Sequence, residues 1–269
     1  MPLPDSGFSS DAAPARRLRW GRWGRWVWLA VWSALVASAY GVYSGAWQIP
    51  AEFNPWAPLD AKAPPNLLTI YKLSRARNDP ARCLAALDST GMQYDVLPDR
   101  STGEDCGFSN AVRLRKAPVR LGAALPLSCP MALSFYMWEE NALQPAAQQH
   151  FGQRVTGIDH LGSYACRNVN SGEGTPSHAP ARTRSRHATA NALDISAFTL
   201  AGGQRVTVLK HWPDEDAAAP PGPPGPEALL LRDVHKGACK YFKGVLGPDY
   251  NAVHRDHFHL ETGGYSMCK

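Results

Sequence analysis

Hydrophobic positions form one uninterrupted block near the N-terminus, followed by short periodic stretches. Residues 26–47, WVWLAVWSALVASAYGVYSGAW, carry no charge. At ~1.5 Å per residue a helix of that length crosses a hydrocarbon core of ~30 Å. Trp26, Trp28, Tyr43 and Trp47 bracket the block as interfacial aromatics do. Residues 48–69 are rich in Pro and Ala without periodicity and read as a linker. Asp79 followed by Pro80 predicts the N-cap and first turn of a helix that stops at Gly91. Alternation over 92–97, 111–114 and 154–163 predicts strands. Ser128 opens a second helix with Met131, Phe135, Trp138 and Ala142 at helical spacing, which Pro145 breaks or kinks. Its aromatics read as core. Residues 202–212 read as a hairpin partner, 227–245 as a helix ending before Gly247-Pro248, and 257–261 as the last strand. A polar loop is expected over 168–182 and an exposed low-complexity loop over 213–226 (PDEDAAAPPGPPGP). Helices mixed with short strands predict an α+β domain, preceded by one transmembrane helix.

Charge adds a direction. The net charge is +5, and residues 1–25 carry five arginines against Asp5 and Asp11, so they contribute +3. The basic balance is therefore largely a membrane flank, which argues against a nucleic-acid surface. Positive flanks stay in the cytoplasm. The expected layout is a cytoplasmic basic tail (1–25), a single-pass anchor (26–47) in the inner membrane, a linker (48–69) and an outward, periplasmic domain (70–269). Two alternatives stay open: Ala37-Ser38-Ala39 resembles a signal-peptidase site, and Arg16-Arg17 a twin-arginine signal.

Six cysteines follow the apolar block and none sits in a C-x-x-C pair. That excludes a thioredoxin-type motif and predicts up to three disulfides in an oxidising compartment. Fifteen pairings are open; pairing of neighbours gives Cys83–Cys106, Cys129–Cys166 and Cys239–Cys268.

Two clusters carry chemistry. In the first, His187 and Asp194 lie seven residues apart, with Asp194 alternating with Leu193, Ile195 and Ala197 on a predicted strand. In the second, His254-x-x-His257-x-His259-x-Glu261, a strand puts His257, His259 and Glu261 on one face and Phe258 and Leu260 on the other. Zinc accepts imidazole nitrogen and carboxylate oxygen. Spacing alone leaves a metal site and a polar cluster equally open. His150, His160, His178, His211 and His235 read as ordinary structural or surface residues.

Ser185-x-His187-x-x-Ala190-x-Ala192-x-Asp194 resembles the S-x-H-x-x-G-x-A-x-D signature of the LAS metallopeptidases, which include D-Ala-D-Ala carboxypeptidases, murein endopeptidases and the zinc domain of hedgehog proteins. More closely, SYACRN, ATANALDISAF, LGPDYNAVHRDHFHLE and Cys268 resemble the bacterial extensin-like protein C-terminal domain family, from about residue 70 onward. The resemblance implies a small antiparallel sheet with flanking helices, Zn²⁺ held by His187, Asp194 and His259, and peptide-bond hydrolysis in peptidoglycan stem peptides. His257 is the expected general base and Glu261 its alternative. Asp256 is expected to point away. Arg167 is expected to hold an oxyanion or a substrate carboxylate, and Ser185 to support a ligand by a hydrogen bond. Ala190 replaces a glycine, which a methyl group allows where the backbone avoids positive φ. Hedgehog domains show that such a scaffold can serve binding, so a catalytically idle zinc domain is the alternative function.

Overall fold

The computed structural model describes residues 22–169, 184–213, 223–264 and 266–269. Most of the basic tail, most of the loop expected over 168–182 with His178, and residues 214–222 of the low-complexity loop lie outside the described residues.

The chain divides into two units, Met1–Pro50 and Ala51–Lys269. In the first, helix α1 (Arg22–Tyr43) begins and ends four residues earlier than the apolar block does. It is long and apolar enough to span a membrane, a property that an anchor and a signal sequence share.

The second unit starts inside the segment expected as a linker. Leu59 and Ala61 are buried in the core. Lys72 and Arg75 of helix α2 (Thr69–Arg77) donate to the carbonyls of Ala51 and Pro55, and so strap the segment down. The sequence pattern predicts the first helix of this unit at Asp79; α2 is additional, its buried face mixing Leu73 and Ala76 with Lys72 while Ile70 and Tyr71 face outward. Helix α3 (Pro80–Ser89) matches expectation: Asp79 accepts from the Arg82 amide, and Gly91 adopts φ +73° just beyond the helix.

Strands β1 (Gln93–Leu97), β2 (Arg100–Gly103), β3 (Cys106–Phe108), β4 (Ala111–Lys116) and β5 (Leu125–Ser128) make a three-stranded sheet, ordered β1-β4-β5, and a β2-β3 hairpin. Ser128 then caps α4 (Cys129–Trp138), accepting from the Met131 amide. Pro145 does not end the helical rod. A π-turn over Glu139–Leu143 absorbs the register that proline would break, and α5 (Gln144–Phe151) continues to a left-handed Gly152.

The main sheet comprises β6 (Val155–Gly162), β7 (Ala192–Leu200), β8 (Arg205–Thr207), β9 (Gly244–Leu246), β10 (Phe258–Glu261) and β11 (Met267–Cys268), in the order β11-β9-β10-β7-β6 with β8 beside the end of β7. Two helices lie between its strands in sequence: α6 (Val208–His211) cuts the expected 202–212 strand to three residues, and α7 (Pro226–Ala238) is shorter than the pattern over 227–245 predicts. Residues 244–246 pair with β10 instead of continuing the helix. Leu193, Ile195, Phe258 and Leu260 enter the core with Phe135, Trp138 and Phe242, and the Trp138 indole donates to the Val234 carbonyl of α7. The architecture is α+β with small antiparallel sheets.

The disulfides correct two expected pairings. Cys83 joins Cys129, Cys106 joins Cys166, and only Cys239–Cys268 pairs as neighbours. Cys83 and Cys129 meet because α3 packs against the start of α4, with Cα atoms 6.1 Å apart. Cys106 lies on the β2-β3 hairpin beside the segment that precedes the site, with Cα atoms 5.5 Å apart. Tertiary packing decided both pairs, and sequence separation did not. Peptide mapping of the unreduced protein should recover these three linked pairs and neither Cys83–Cys106 nor Cys129–Cys166.

Glu139 is fully buried in the π-turn, with one carboxyl oxygen bonded to Gln144 and the other unpartnered. Burial, with the neighbouring Glu140 charge, raises its pKa from 4.5 to about 7. An acid raised on folding costs stability as pH climbs through that interval. Glu139→Gln should therefore raise the thermal midpoint by several degrees at pH 8, and the gain should vanish near pH 4, as read by calorimetry at both pH values.

Candidate metal centre

The site is assembled by strand pairing. In the β7-β10 register Asp194 lies directly opposite His259, and Leu193 opposite Leu260. Directly paired residues project from the same face. One layer therefore sends Leu193 and Leu260 into the core while the adjacent layer sends Asp194 and His259 to the other side. His187 comes from a 3₁₀ turn (Arg186–Thr189) just before β7, whose N-cap Ser185 accepts from the His187 amide at 3.3 Å. Ser185 thus fixes the backbone that carries His187.

The three side chains are buried and converge. His187 Nε2 lies 3.1 Å from Asp194 Oδ2, His259 Nδ1 lies 2.8 Å from Asp194 Oδ1, and the two ring nitrogens are 3.2 Å apart. Tetrahedral zinc with ligands at ~2.0–2.1 Å would separate its donors by about 3.3 Å. The donor set fits in kind and in spacing, and it is the one group of three buried metal-ligating residues among the described residues. The other group, His235, Cys239 and Cys268, has its thiols in a disulfide. His259 Nε2 bonds Glu261 at 3.1 Å, so the ring's Nδ1 edge faces Asp194 and His187. A carboxylate behind a ligating imidazole is the usual outer partner of a metal site.

These groups also hold one another electrostatically. Burial opposes the Asp194 charge, but hydrogen bonds from His187 and His259 outweigh it and keep the carboxyl well below the usual range. Burial also disfavours a charged His259, yet Asp194 and Glu261 on either side raise it to about 9.

His257 is buried beside this centre, its Nε2 3.8 Å from Asp194 Oδ1 and its Nδ1 2.9 Å from Asp256. The contact with Asp256 corrects the sequence reading, which turned that residue away by strand alternation. Strand β10 begins only at Phe258, so Asp256 and His257 belong to the turn after the 3₁₀ segment Ala252–His254, where alternation does not apply. Arg167 lies exposed at the rim. An open cleft of about 530 Å³ is lined by Arg167, Asp194, His257, His259 and Glu261.

Arg184 and Asn191 went unrecognised in the sequence, whereas His254 stood in the second cluster without a role. His254 is buried with its ring 5.2 Å from that of His257, and its Nδ1 pairs with Asn251. Burial, followed by the His257 and His259 charges, lowers its pKa to about 4. Arg184 lines the cleft, held by the Glu104 carbonyl and the Asn168 side chain. Asn191 ties the site together: its Oδ1 accepts from the Ser128 and Thr262 hydroxyls, and its carbonyl accepts from the Thr262 amide. The H-x-x-H spacing was a usable signal for His254; Asn191 and Arg184 offered none. Ala190 has φ +53°, so the left-handed backbone expected to exclude a methyl is present. An alanine there costs roughly 1–2 kcal/mol. Its buried methyl packs in a small cluster with Phe108 and Ala111, which offsets part of that cost.

A family model described as extensin-like protein C-terminus matches residues 81–269, most of the chain. The chain belongs to that family. No curated protein and no solved structure matches it. The match to the extensin-like model takes in every cleft residue named above.

Two measurements bear on the centre of this extensin-like domain. Elemental analysis after zinc loading and dialysis should give one zinc per chain, none for His187→Ala or His259→Ala, and one for His150→Ala, whose ring pairs instead with Asp233. Glu261→Ala, which removes the carboxylate bonded to His259 Nε2, should keep the fold but weaken zinc affinity by about 10–100-fold, the usual range for outer partners of ligands, as read by competition with a chelating dye.

Proposed function

We propose that this extensin-like domain is a zinc-dependent peptidase of LAS type, acting on peptidoglycan stem peptides outside the cytoplasmic membrane, with α1 as its single-pass anchor and the domain in the periplasm. The observation that carries the reading is the buried convergence of His187, Asp194 and His259 at a cleft whose wall presents His257. Zinc held by those three residues would supply Lewis acidity toward a peptide carbonyl and lower the pKa of water toward about 7.

The rest is this chain's own chemistry. His257 Nδ1 faces Asp256, which fixes the ring, while Nε2 lies near Asp194. That is the arrangement of a general base that takes a proton from water and returns it to the leaving amine. Glu261 is bonded to His259 and serves as the group that orients a ligand. Arg167 at the rim suits a carboxylate of the substrate peptide, and Arg184 adds a second guanidinium.

Purified peptidoglycan digested with zinc-loaded protein and separated by chromatography should yield new stem-peptide products that a chelator suppresses. His257→Ala should retain its zinc and lose about 10²–10⁴-fold in turnover. Asp256→Asn should lose turnover too, with zinc retained. If the loaded wild-type protein binds peptidoglycan but releases nothing, the domain is a zinc-dependent binding module.

A further inference from the structure

Helix α2 buries Leu73 and Ala76 but leaves other apolar side chains outward. Lys72 is buried, whereas Ile70 and Tyr71 are half exposed and Leu67, just ahead of the helix, is fully exposed. At about 100° per residue, Leu67, Ile70, Tyr71 and Ser74 share one face. On one flank of that face, Lys72 and Arg75 hold the strap that begins at Ala51, leaving Phe53 and Trp56 outward at 60% and 70% exposure. On the other flank, Ile70 and Ser74 border a groove of about 390 Å³ that also contains Lys240 and Lys243. Both lysines are exposed and have no acidic partner among the described residues. Ile70 thus lies beside two unpaired cations, and the other four large apolar side chains extend from it across the helix face and the strap.

The chain path says what such a surface meets. Residues 44–47 fold back on the end of α1: the Ser44 amide donates to Tyr40 and the Trp47 amide to Gly41. Only residues 48–50 separate that end from the strap, a span of about 10 Å when extended. A surface that starts so few residues from an apolar helix of spanning length begins close to wherever that helix leaves the bilayer. Exposed Trp, Tyr and aliphatic residues beside lysines match the chemistry of an anionic headgroup layer.

We propose that Phe53, Trp56, Leu67, Ile70 and Tyr71, with Lys240 and Lys243, form a docking surface for the anionic lipid face of the membrane that α1 spans. The proposal rests on α1 as an anchor and is independent of the peptidase reading.

Hydroxyl-radical footprinting of the full chain tests it, in nanodiscs containing phosphatidylglycerol, in nanodiscs of phosphatidylcholine alone, and in amphipol. Oxidation of Trp56 and Tyr71 should fall at least fivefold in the anionic discs relative to amphipol, with Leu161 and Leu209, which are exposed on β6 and α6, unchanged. Lys240→Glu with Lys243→Glu should restore at least half of the lost oxidation. Equal oxidation of Trp56 and Tyr71 in anionic discs and amphipol would overturn the proposal, and equal protection in both kinds of disc would overturn its anionic part. Carbonate extraction reports the anchor separately. If α1 proves to be cleaved, the mature chain is floated with phosphatidylglycerol vesicles: co-flotation lost in the double-lysine variant sustains the surface, and failure to float overturns it.

Discussion

One register governs the rest: β7 runs antiparallel to β10 with Asp194 opposite His259. Slip that pairing by one residue and Leu193 and Leu260 trade places with the two polar groups. The core would then hold a carboxylate and an imidazole, and the cleft two leucines. The apolar packing of Leu193, Ile195, Phe258 and Leu260 against α4 and α7 therefore specifies the polar site as strongly as any contact within it. Asn191 secures the same register from the end, because it bonds Thr262 just beyond β10 and Ser128 at the cap of α4. Fold and site share one constraint.

What could be read from the sequence follows from which residues act locally. Caps at Asp79 and Ser128 and the alternation around Asp194 are local, and they predicted elements close to those found. The alternation of Phe258 and Leu260 placed His259 correctly. It misled at Asp256, because a two-residue period holds only while the chain is a strand, and the strand had not yet begun. Helix α2 was missed for the opposite reason. Its buried Lys72 satisfies a carbonyl of the strap, a tertiary contact that no local pattern encodes. The π-turn before Pro145 belongs to the same class: proline announces a disturbance, and packing decides whether the rod ends or adjusts.

The site also shows where burial of charge is tolerated. Asp194 is enclosed yet bonded by two imidazoles, so its desolvation is compensated. Glu139 is enclosed with one oxygen unpartnered, so its desolvation is not, and its proton affinity rises. Two buried carboxyls are thus driven in opposite directions, chiefly by their partners. The same comparison separates a group of converging donors from a core carboxyl left short of partners.

The disulfide connectivity has a consequence for how the molecule matures. Cys83–Cys129 and Cys106–Cys166 interlock, since each bridge encloses one cysteine of the other. A chain whose cysteines enter an oxidising space in sequence order exposes Cys83 and Cys106 together before either correct partner emerges. Thiols that meet early join early, so the first bridge favoured by order of arrival is a wrong one. Reaching the native pairs then requires a thiolate to attack that bridge and pass it on, on a scale of seconds to hours without help. An environment that only oxidises would trap this protein, and one that also reshuffles would let it finish.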